Sequence, residues 1–470
     1  MFFLRWARSV PSPNRTISWL RKQERTKGGI APYPRSREGD PSVAGALLPT
    51  LLQIGEREIA TRVANALLSI QKKDGGFPSL HGSGSNFASG QALKGLLAIN
   101  GLVPGASQAI ERASTFLYHR IRERNVDELD LSTLEAFKSS ASVMGNASFI
   151  EAGEQCLEEY IAKKRRSMAS PPHFAVQELG ALIDLGQADI LNPLINKLIG
   201  KQISDRSMPR EEKTFSTPSR LAELALCLYR MGHWQQADDV LAWLEKHQKS
   251  SGGFPESTGL KALNPFCREL AWTAKFYLEA HRLRVRSFMD RHVALSWVAG
   301  DDGRVQALLS VIKPGDKVVE VGCGTGRFLK AVGEKIPTLE LTGVDISTHL
   351  LSQLPPHVVR FEGSLECTPS KDNNFDVVFS VEAMEHSPNW KAAIIELFRI
   401  VRPGGWVVII DKQLSQWGRF DCPSWEDWPD ANQIRDLMSS YCDKTSYQAV
   451  SYDGHPADGL MLAWFGRKKQ

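Results

Sequence analysis

At 470 residues, with 42% hydrophobic and 23% charged content, the chain has the make-up of an ordinary globular protein of two to four domains. No apolar run approaches the roughly eighteen residues of a membrane span, and the opening Met1-Phe-Phe-Leu-Arg-Trp is too short for a signal-peptide core, so neither a transmembrane helix nor a leader of that type is expected. Seven cysteines stand singly, with no Cys-x-x-Cys and no His/Cys cluster, which argues for a reducing compartment, the cytoplasm, and against a metal site.

The first 40 residues carry nine Lys/Arg and three Asp/Glu, a balance of +6 in a chain whose net charge is +4. The arm at their head, residues 1–15, can attract phosphate groups or an anionic membrane surface, so peripheral membrane contact is open to it beside the plain reading of a solvated arm. No arginine-rich run with interleaved aromatics accompanies it, and nucleic acid is not the expected partner.

Residues 16–284 are self-similar. Gln23-Glu-Arg-Thr-Lys-Gly28-Gly29, Gln71-Lys-Lys-Asp74-Gly75-Gly76-Phe77-Pro78 and Gln248-Lys-Ser-Ser-Gly252-Gly253-Phe254-Pro255 share one pattern, and Gln202 to Pro209 is a decayed copy. Each copy follows an amphipathic segment and precedes a second helix that usually stops at a glycine. Those stops, Gly55, Gly101, Gly145, Gly186 and Gly232, lie 46, 44, 41 and 46 residues apart. Six helical hairpins of this period can close into an (α/α)6 toroid with one helix of each pair inside. The Gln-x-x-x-Gly-Gly-Phe motif resembles the repeat of the terpene cyclase and protein prenyltransferase toroids. The glutamine can pin neighbouring hairpins by backbone hydrogen bonds while Phe77 or Phe254 fills the gap between them. Polar residues near the starts of the presumed inner helices predict a polar mouth: Asn86 and Gln91, Ser132 and Glu135, His173 and Gln177, Arg220, and Asn264 and Arg268. No Asp-x-Asp-Asp motif of a protonating cyclase is present, so the toroid is expected to hold or dock a substrate.

A basic linker helix is expected over 285–313, and a second domain over 314–470. Lys317-Val-Val-Glu320-Val-Gly322-Cys323-Gly324-Thr-Gly326 reads as a buried strand, a glycine-rich turn and the start of a helix. Glycine at every second position lets the backbone approach a ligand, and the helix start points free N–H groups into the turn. Glu320 would repel a pyrophosphate and suit a cationic amino acid moiety, which favours S-adenosylmethionine over a dinucleotide. Leu339 to Asp345 is a second strand ending in an acid that can accept from both ribose hydroxyls. Val358 to Glu366 holds a third strand and its exit loop. Phe375 to Val381, with Ser380 near its end, is a fourth strand leading to Glu385-His386-Ser387-Pro388, where Ser387 is the expected cap of the next helix. Arg402-Pro-Gly404-Gly405 and a fifth strand, Trp406 to Asp411, follow. Helix and strand patterns to Phe465 complete a seven-stranded, Rossmann-like sheet.

These motifs in this order resemble the class I S-adenosylmethionine-dependent methyltransferases, within them the subgroup of the quinone-pathway enzymes. The resemblance implies S-adenosylmethionine as cofactor, held by Glu320, Gly322, Cys323, Gly324, Gly326, Asp345, Ser364, Leu365 and Ser380. Relatives place an Asp where Ser364 stands, so adenine is expected to rely on backbone at Leu365 and apolar packing. His386 is placed to act as general base, with Glu385 orienting it or fixing the loop. Trp417, Trp425 and Trp428, interleaved with Asp421, Glu426, Asp427 and Asp430, read as an insertion over the acceptor pocket. The expected activity is methyl transfer, with oxygen the expected acceptor atom, on a small-molecule or lipid-linked acceptor such as a glycolipid or polysaccharide precursor. A toroid with its own cyclase or carbohydrate chemistry, and a non-catalytic S-adenosylmethionine sensor, stand as the alternatives.

Overall fold

The computed structural model describes residues 12–25, 29–79, 85–123, 129–166, 172–187, 189–193, 195–196, 217–257, 268–293 and 297–470. The decayed repeat at 202–209, Asn264 and the first eleven residues of the basic arm lie outside them, as do the side chains of His173 and Gln177. Two compact units result: residues 15–52 with 56–284, and 285–470 with 12–14 and 53–55. No helix among the described residues is long and apolar enough to cross a membrane.

The first unit is helical. Helices pair as Ser12–Arg21 with Pro41–Gln53, Arg57–Ile70 with Ser85–Ala98, Ala106–Arg122 with Leu131–Met144, Ala147–Arg166 with Pro172–Asp184, and Trp234–Lys246 with Ala271–His292; helical residues at 189–193 precede Pro218–Arg230. The chain turns after a helix at Gly55, Gly101, Gly145, Gly186 and Gly232, each with φ between 63° and 83°, a region a side chain resists.

The repeated motif builds a clamp. Gln71 Nε2 donates to Gly75 O and to Ala109 O, both at 2.9 Å, tying the turn to helix Ala106–Arg122. Gln248 Nε2 makes the matching bonds at 2.8 Å, to Gly252 O and to Thr16 Oγ1 on helix Ser12–Arg21. The last described turn thus seizes the first helix as an earlier turn seizes its neighbour. Gly75 and Gly252 have φ of 90° and 95°, and a Cβ there would fall 2.2 Å from Arg112 O and 2.1 Å from Arg15 O. Only glycine permits that approach. Phe77 and Phe254 are fully buried beside these turns.

The second unit is a seven-stranded sheet in the order β3-β2-β1-β4-β5-β7-β6. Its strands are β1 Lys317–Val321, β2 Glu340–Asp345, β3 Val359–Glu362, β4 Phe375–Val381, β5 Val401–Lys412, β6 Cys442–Ala449 and β7 Met461–Lys468. All neighbours are parallel except β7, antiparallel to both β5 and β6. Alternate residues feed two cores, one on each face: Val318, Val377, Phe379, Val408 and Ile410 pack in one, Val319, Val321, Val378, Val407 and Ile409 in the other. Burial on both faces explains why apolar residues stand at consecutive positions, 318–319 of β1, 377–379 of β4 and 406–410 of β5.

Two local expectations are corrected. A single linker helix over 285–313 does not form, because Ala271–His292 runs through position 285 and Gly303–Leu309 is a separate short helix. The first helix ends at His292, and Asp302 caps the new one by accepting from Arg304 N at 2.9 Å. The helix after β4 starts at Trp390, and Ser387 is not its cap. Ser387 donates instead to Glu366 and accepts from Asn389 N at 3.1 Å.

Candidate active site

The chain reverses after β1 through three glycines. Gly322, Gly324 and Gly326 have φ of 79°, 52° and 75°. Gly322 N and Cys323 N both donate to Val344 O, at 2.8 and 3.1 Å, which anchors the turn to β2. A Cβ on Gly322 would fall 2.6 Å from Ala383 Cβ, so that glycine is a packing requirement. Gly324 differs: the nearest described atom to a Cβ there is Val293 Cγ1, 3.8 Å away. It opens onto the space above the turn. The Cys323 side chain is buried beneath, where a Cβ on Gly343 would meet its Sγ at 2.8 Å, so only its backbone faces a ligand.

Asp345 closes β2 and shapes this turn. Its Oδ2 accepts from Gly324 N and its Oδ1 from Ser347 N, both at 2.8 Å. Burial raises its pKa, and the two N–H donors work against that rise. Glu320, 1% exposed, has less support: a backbone hydrogen bond from Leu329 reaches the carboxylate, but its Oε2 has no hydrogen-bond partner among the described residues. Burial pushes its pKa well above the ordinary carboxylate value, against the pull of Arg327. The buried Ser380 Oγ at the end of β4 is likewise without a partner among those residues. Ser364 is buried and donates its N–H to Cys367 O at 3.1 Å, with Leu365 buried beside it. An unpartnered carboxylate beside a glycine cradle suits a ligand bearing an ammonium group, and S-adenosylmethionine fits these residues.

On the other side of the cradle, β4 is followed directly by Glu382, whose φ of 52° is unusual for a side-chain-bearing residue. Two arginines hold it there. Arg304, fully buried, and Arg327 both donate to Glu382, and Arg304 also bonds Asp302 at 2.9 Å through Nε and Nη2. Sequence reasoning missed this cluster. Its only signal was an acid directly after a buried strand, which by itself names no partner.

Next comes the turn Met384–His386. Burial pushes Glu385 upward, but Lys412 Nζ at 2.6 Å, Asp411 and His386 outweigh it and hold the group well below the ordinary value. Asp411 is pushed well above its ordinary value by burial and by the charge on Glu385, while its oxygens accept from Met384 N at 2.8 Å and Lys412 N at 2.7 Å. Glu385 is therefore tied first to Lys412 and Asp411. His386 lies 3.7 Å from Glu385 Oε1 through Nε2 and 3.7 Å from Glu426 Oε1 through Nδ1. Trp425 flanks its ring, centroids 5.7 Å apart. The tryptophan-rich insertion is fixed here: Asp427 N donates to Glu385 O at 2.8 Å, and Trp428 Nε1 to Glu426 Oε2 at 2.9 Å. The partner that sequence reasoning did not assign to His386 is Glu426.

Residues 319–409 match the family model described as a methyltransferase domain, a span from β1 into β5 that contains every cofactor and catalytic residue named from the sequence. Sterol 24-C-methyltransferase erg6 of Schizosaccharomyces pombe is 31% identical over 103 residues, 20% of this chain and 27% of the relative. Phosphoethanolamine N-methyltransferase 3 of Arabidopsis thaliana is 32% identical over 107 residues, 21% of this chain and 22% of the relative. Demethylmenaquinone methyltransferase of Staphylococcus aureus is 31% identical over 107 residues, 21% of this chain and 44% of the relative. The chain spans less than half the length of these curated relatives. Sheet order, glycine turn and family match agree: the chain carries a methyltransferase domain that uses S-adenosylmethionine.

Proposed function

We infer that the whole chain is a methyltransferase acting on the oxygen of a small-molecule or lipid-linked acceptor, a glycolipid or polysaccharide precursor among them. The observation that carries this is the unpartnered Glu320 Oε2 beside the open Gly324 cradle. S-adenosylmethionine supplies an electrophilic methyl group on a sulfonium centre. Glu320 meets the amino group, Asp345 accepts from the ribose hydroxyls, and Ser364, Leu365 and Ser380 border the rest of the molecule. His386 takes the proton of the acceptor hydroxyl, and Glu426 and Glu385, each 3.7 Å away, stabilise the imidazolium. Relatives named for sterol, phosphoethanolamine and demethylmenaquinone substrates methylate different atoms, so the choice of oxygen rests on His386 alone. The quinone-pathway subgroup is one of several these names represent.

The helical unit is read as an (α/α)6 toroid of the terpene cyclase and prenyltransferase kind that holds the acceptor. In its support, Gln248 reaches Thr16, so the final hairpin grips the first. The cytoplasm is the proposed site of action, with the basic arm available to an anionic membrane surface. The test is incubation of the protein with labelled S-adenosylmethionine and fractionated cell extract. A labelled product carrying a methyl ether supports the reading, and label on nitrogen or carbon overturns the O-methyl assignment.

A further inference from the structure

The second helix of several pairs is buried all round except along one stripe. Phe87 and Lys94 on Ser85–Ala98, Glu223 on Pro218–Arg230, and Trp272, Phe276 and Glu279 on Ala271–His292 are half-exposed between buried neighbours, those on one helix three, four or seven residues apart. An outward-facing stripe would point these residues away from one another. Here they meet. The Phe87 and Trp272 rings lie 6.1 Å apart and those of Trp272 and Phe276 6.0 Å apart. Lys94 Nζ is 2.7 Å from Glu135 and 3.9 Å from Asp184. Glu279 accepts from Thr50 at 2.7 Å and from Lys275 at 2.8 Å. Thr50, Lys94, Glu135, Asp184, Glu223 and Glu279 come from the second helices of six successive pairs. The ring and polar contacts join five of these helices, and the charges of Lys275, Glu279 and Lys94 act on Glu223 of the sixth, so this group of buried and half-buried residues lines an interior.

The chemistry of that lining is specific. Three aromatic rings stand toward the helix starts, and cation–carboxylate pairs lie about a turn or more further along. Lys94 and Lys275 are each paired with a carboxylate, so the pairs offer hydrogen-bond donors and acceptors with little net charge to select an ion. A cationic ligand finds Lys275 already over the Phe276 ring, 4.3 Å from its centroid. An anion finds Glu135, Asp184 and Glu279. Glu223, pushed up to about 8 by burial, keeps its proton at neutral pH and has no hydrogen bond or ion pair among the described residues. Next to the rings in the chain, the buried Asn86 Oδ1 and Thr273 Oγ1 also lack partners among those residues.

We propose that the helical unit has a ligand site of its own, which takes a neutral sugar ring stacked on Phe87 and Trp272, its hydroxyls bonded to the Lys94–Glu135 and Lys275–Glu279 pairs. A sugar presents an apolar face to an aromatic ring and hydroxyls that donate and accept at its edge, the combination this lining meets. The inference rests on the ring reading of the helical unit and is independent of methyl transfer. The test uses the full chain with methyl glycosides of glucose, galactose, mannose, rhamnose and N-acetylglucosamine, followed by saturation-transfer NMR and tryptophan fluorescence. Choline and inorganic phosphate are the charged probes. At least one glycoside should bind at millimolar concentration, and Trp272→Ala and Lys94→Met should each weaken it by about tenfold while S-adenosylmethionine binding stays unchanged. Trp272→Phe, which keeps the packing, should weaken it less. No glycoside binding, binding of choline or phosphate alone, or glycoside binding indifferent to these variants would each overturn the proposal. Failure of the ring reading has a separate signature, unchanged amide exchange of helix Ser12–Arg21 in Gln248→Ala.

Discussion

Glu320 is a buried carboxylate with one oxygen unpartnered among the described residues, and its replacement should act in two opposite directions. Glu320→Gln relieves the burial cost, so the unliganded variant should melt higher than the parent. Its affinity for S-adenosylmethionine should fall by about tenfold or more, since the ammonium loses its counter-charge. Thermal melts and calorimetric titration read the two effects, and a rise in affinity would remove the assigned role. Asp345 should behave differently, because its oxygens also hold Gly324 N and Ser347 N. Asp345→Ala should weaken cofactor binding by at least about tenfold and lower stability by about 1–3 kcal/mol. His386→Ala should leave cofactor binding nearly intact while single-turnover transfer drops roughly 10²–10⁴-fold; transfer at the normal rate would mean that positioning alone drives the reaction. Glu223 supplies a pH signature. It ionises near 4.5 in the unfolded chain and about 8 in the folded one, chiefly through burial, with Lys275 opposing. Between those values the folded chain holds a proton that the unfolded chain has lost, so stability falls as pH rises through the window. Glu223→Gln should therefore gain in melting temperature over the parent from about pH 5 upward, levelling off near pH 9. A gap that does not change with pH would contradict the assignment.

At the scale of elements, the clamp turns carry the helical unit. Gly252 sits at φ 95° with Arg15 O where a Cβ would fall, so Gly252→Ala must move helix Ser12–Arg21 or break the turn. A loss of about 2 kcal/mol or more is expected from strain and clash together. Gln248→Ala removes two hydrogen bonds, about 1 kcal/mol each, and should raise amide exchange in that helix before the rest of the unit responds. Gly324→Val should bury its side chain in the cradle and abolish S-adenosylmethionine binding in a chain that still folds. These positions were legible because glycine recurring at a fixed interval marks backbone that a side chain would strain or obstruct. The boundaries between elements were less so. Ser387 reads as a helix cap by its neighbours, yet Glu366, distant in sequence, claims its hydroxyl. The helix running past position 285 and stopping before Gly303 turns on Asp302 capping a new start, a competition between local signals that periodicity does not resolve.

For the whole molecule, the division into units falls between Arg284 and Val285, inside helix Ala271–His292. A fragment of residues 285–470 keeps Asp290, which bonds Ser347 below the cofactor turn, and should bind S-adenosylmethionine in calorimetry. The seven-stranded sheet, the glycine turn, the acid at the end of β2 and the period of the helical hairpins were all determined by the sequence alone. Each is a local pattern: alternating or unbroken apolar runs set strands, and glycine marks where the backbone must turn or admit a ligand. Tertiary structure decided the pairings between charges. Arg304 and Arg327 on Glu382, Lys412 and Asp411 on Glu385, and Glu426 beside His386 join residues up to 78 positions apart. No spacing rule links them, because what brings them together is the parallel order of β1, β4 and β5, which sets strand ends distant in sequence side by side. Burial then raises the pKa of Asp411 among them. The same holds in the helical unit, where Lys94, Glu135, Glu223 and Glu279 look like solvated charges one helix at a time, and only the packing of six second helices turns them toward a common interior.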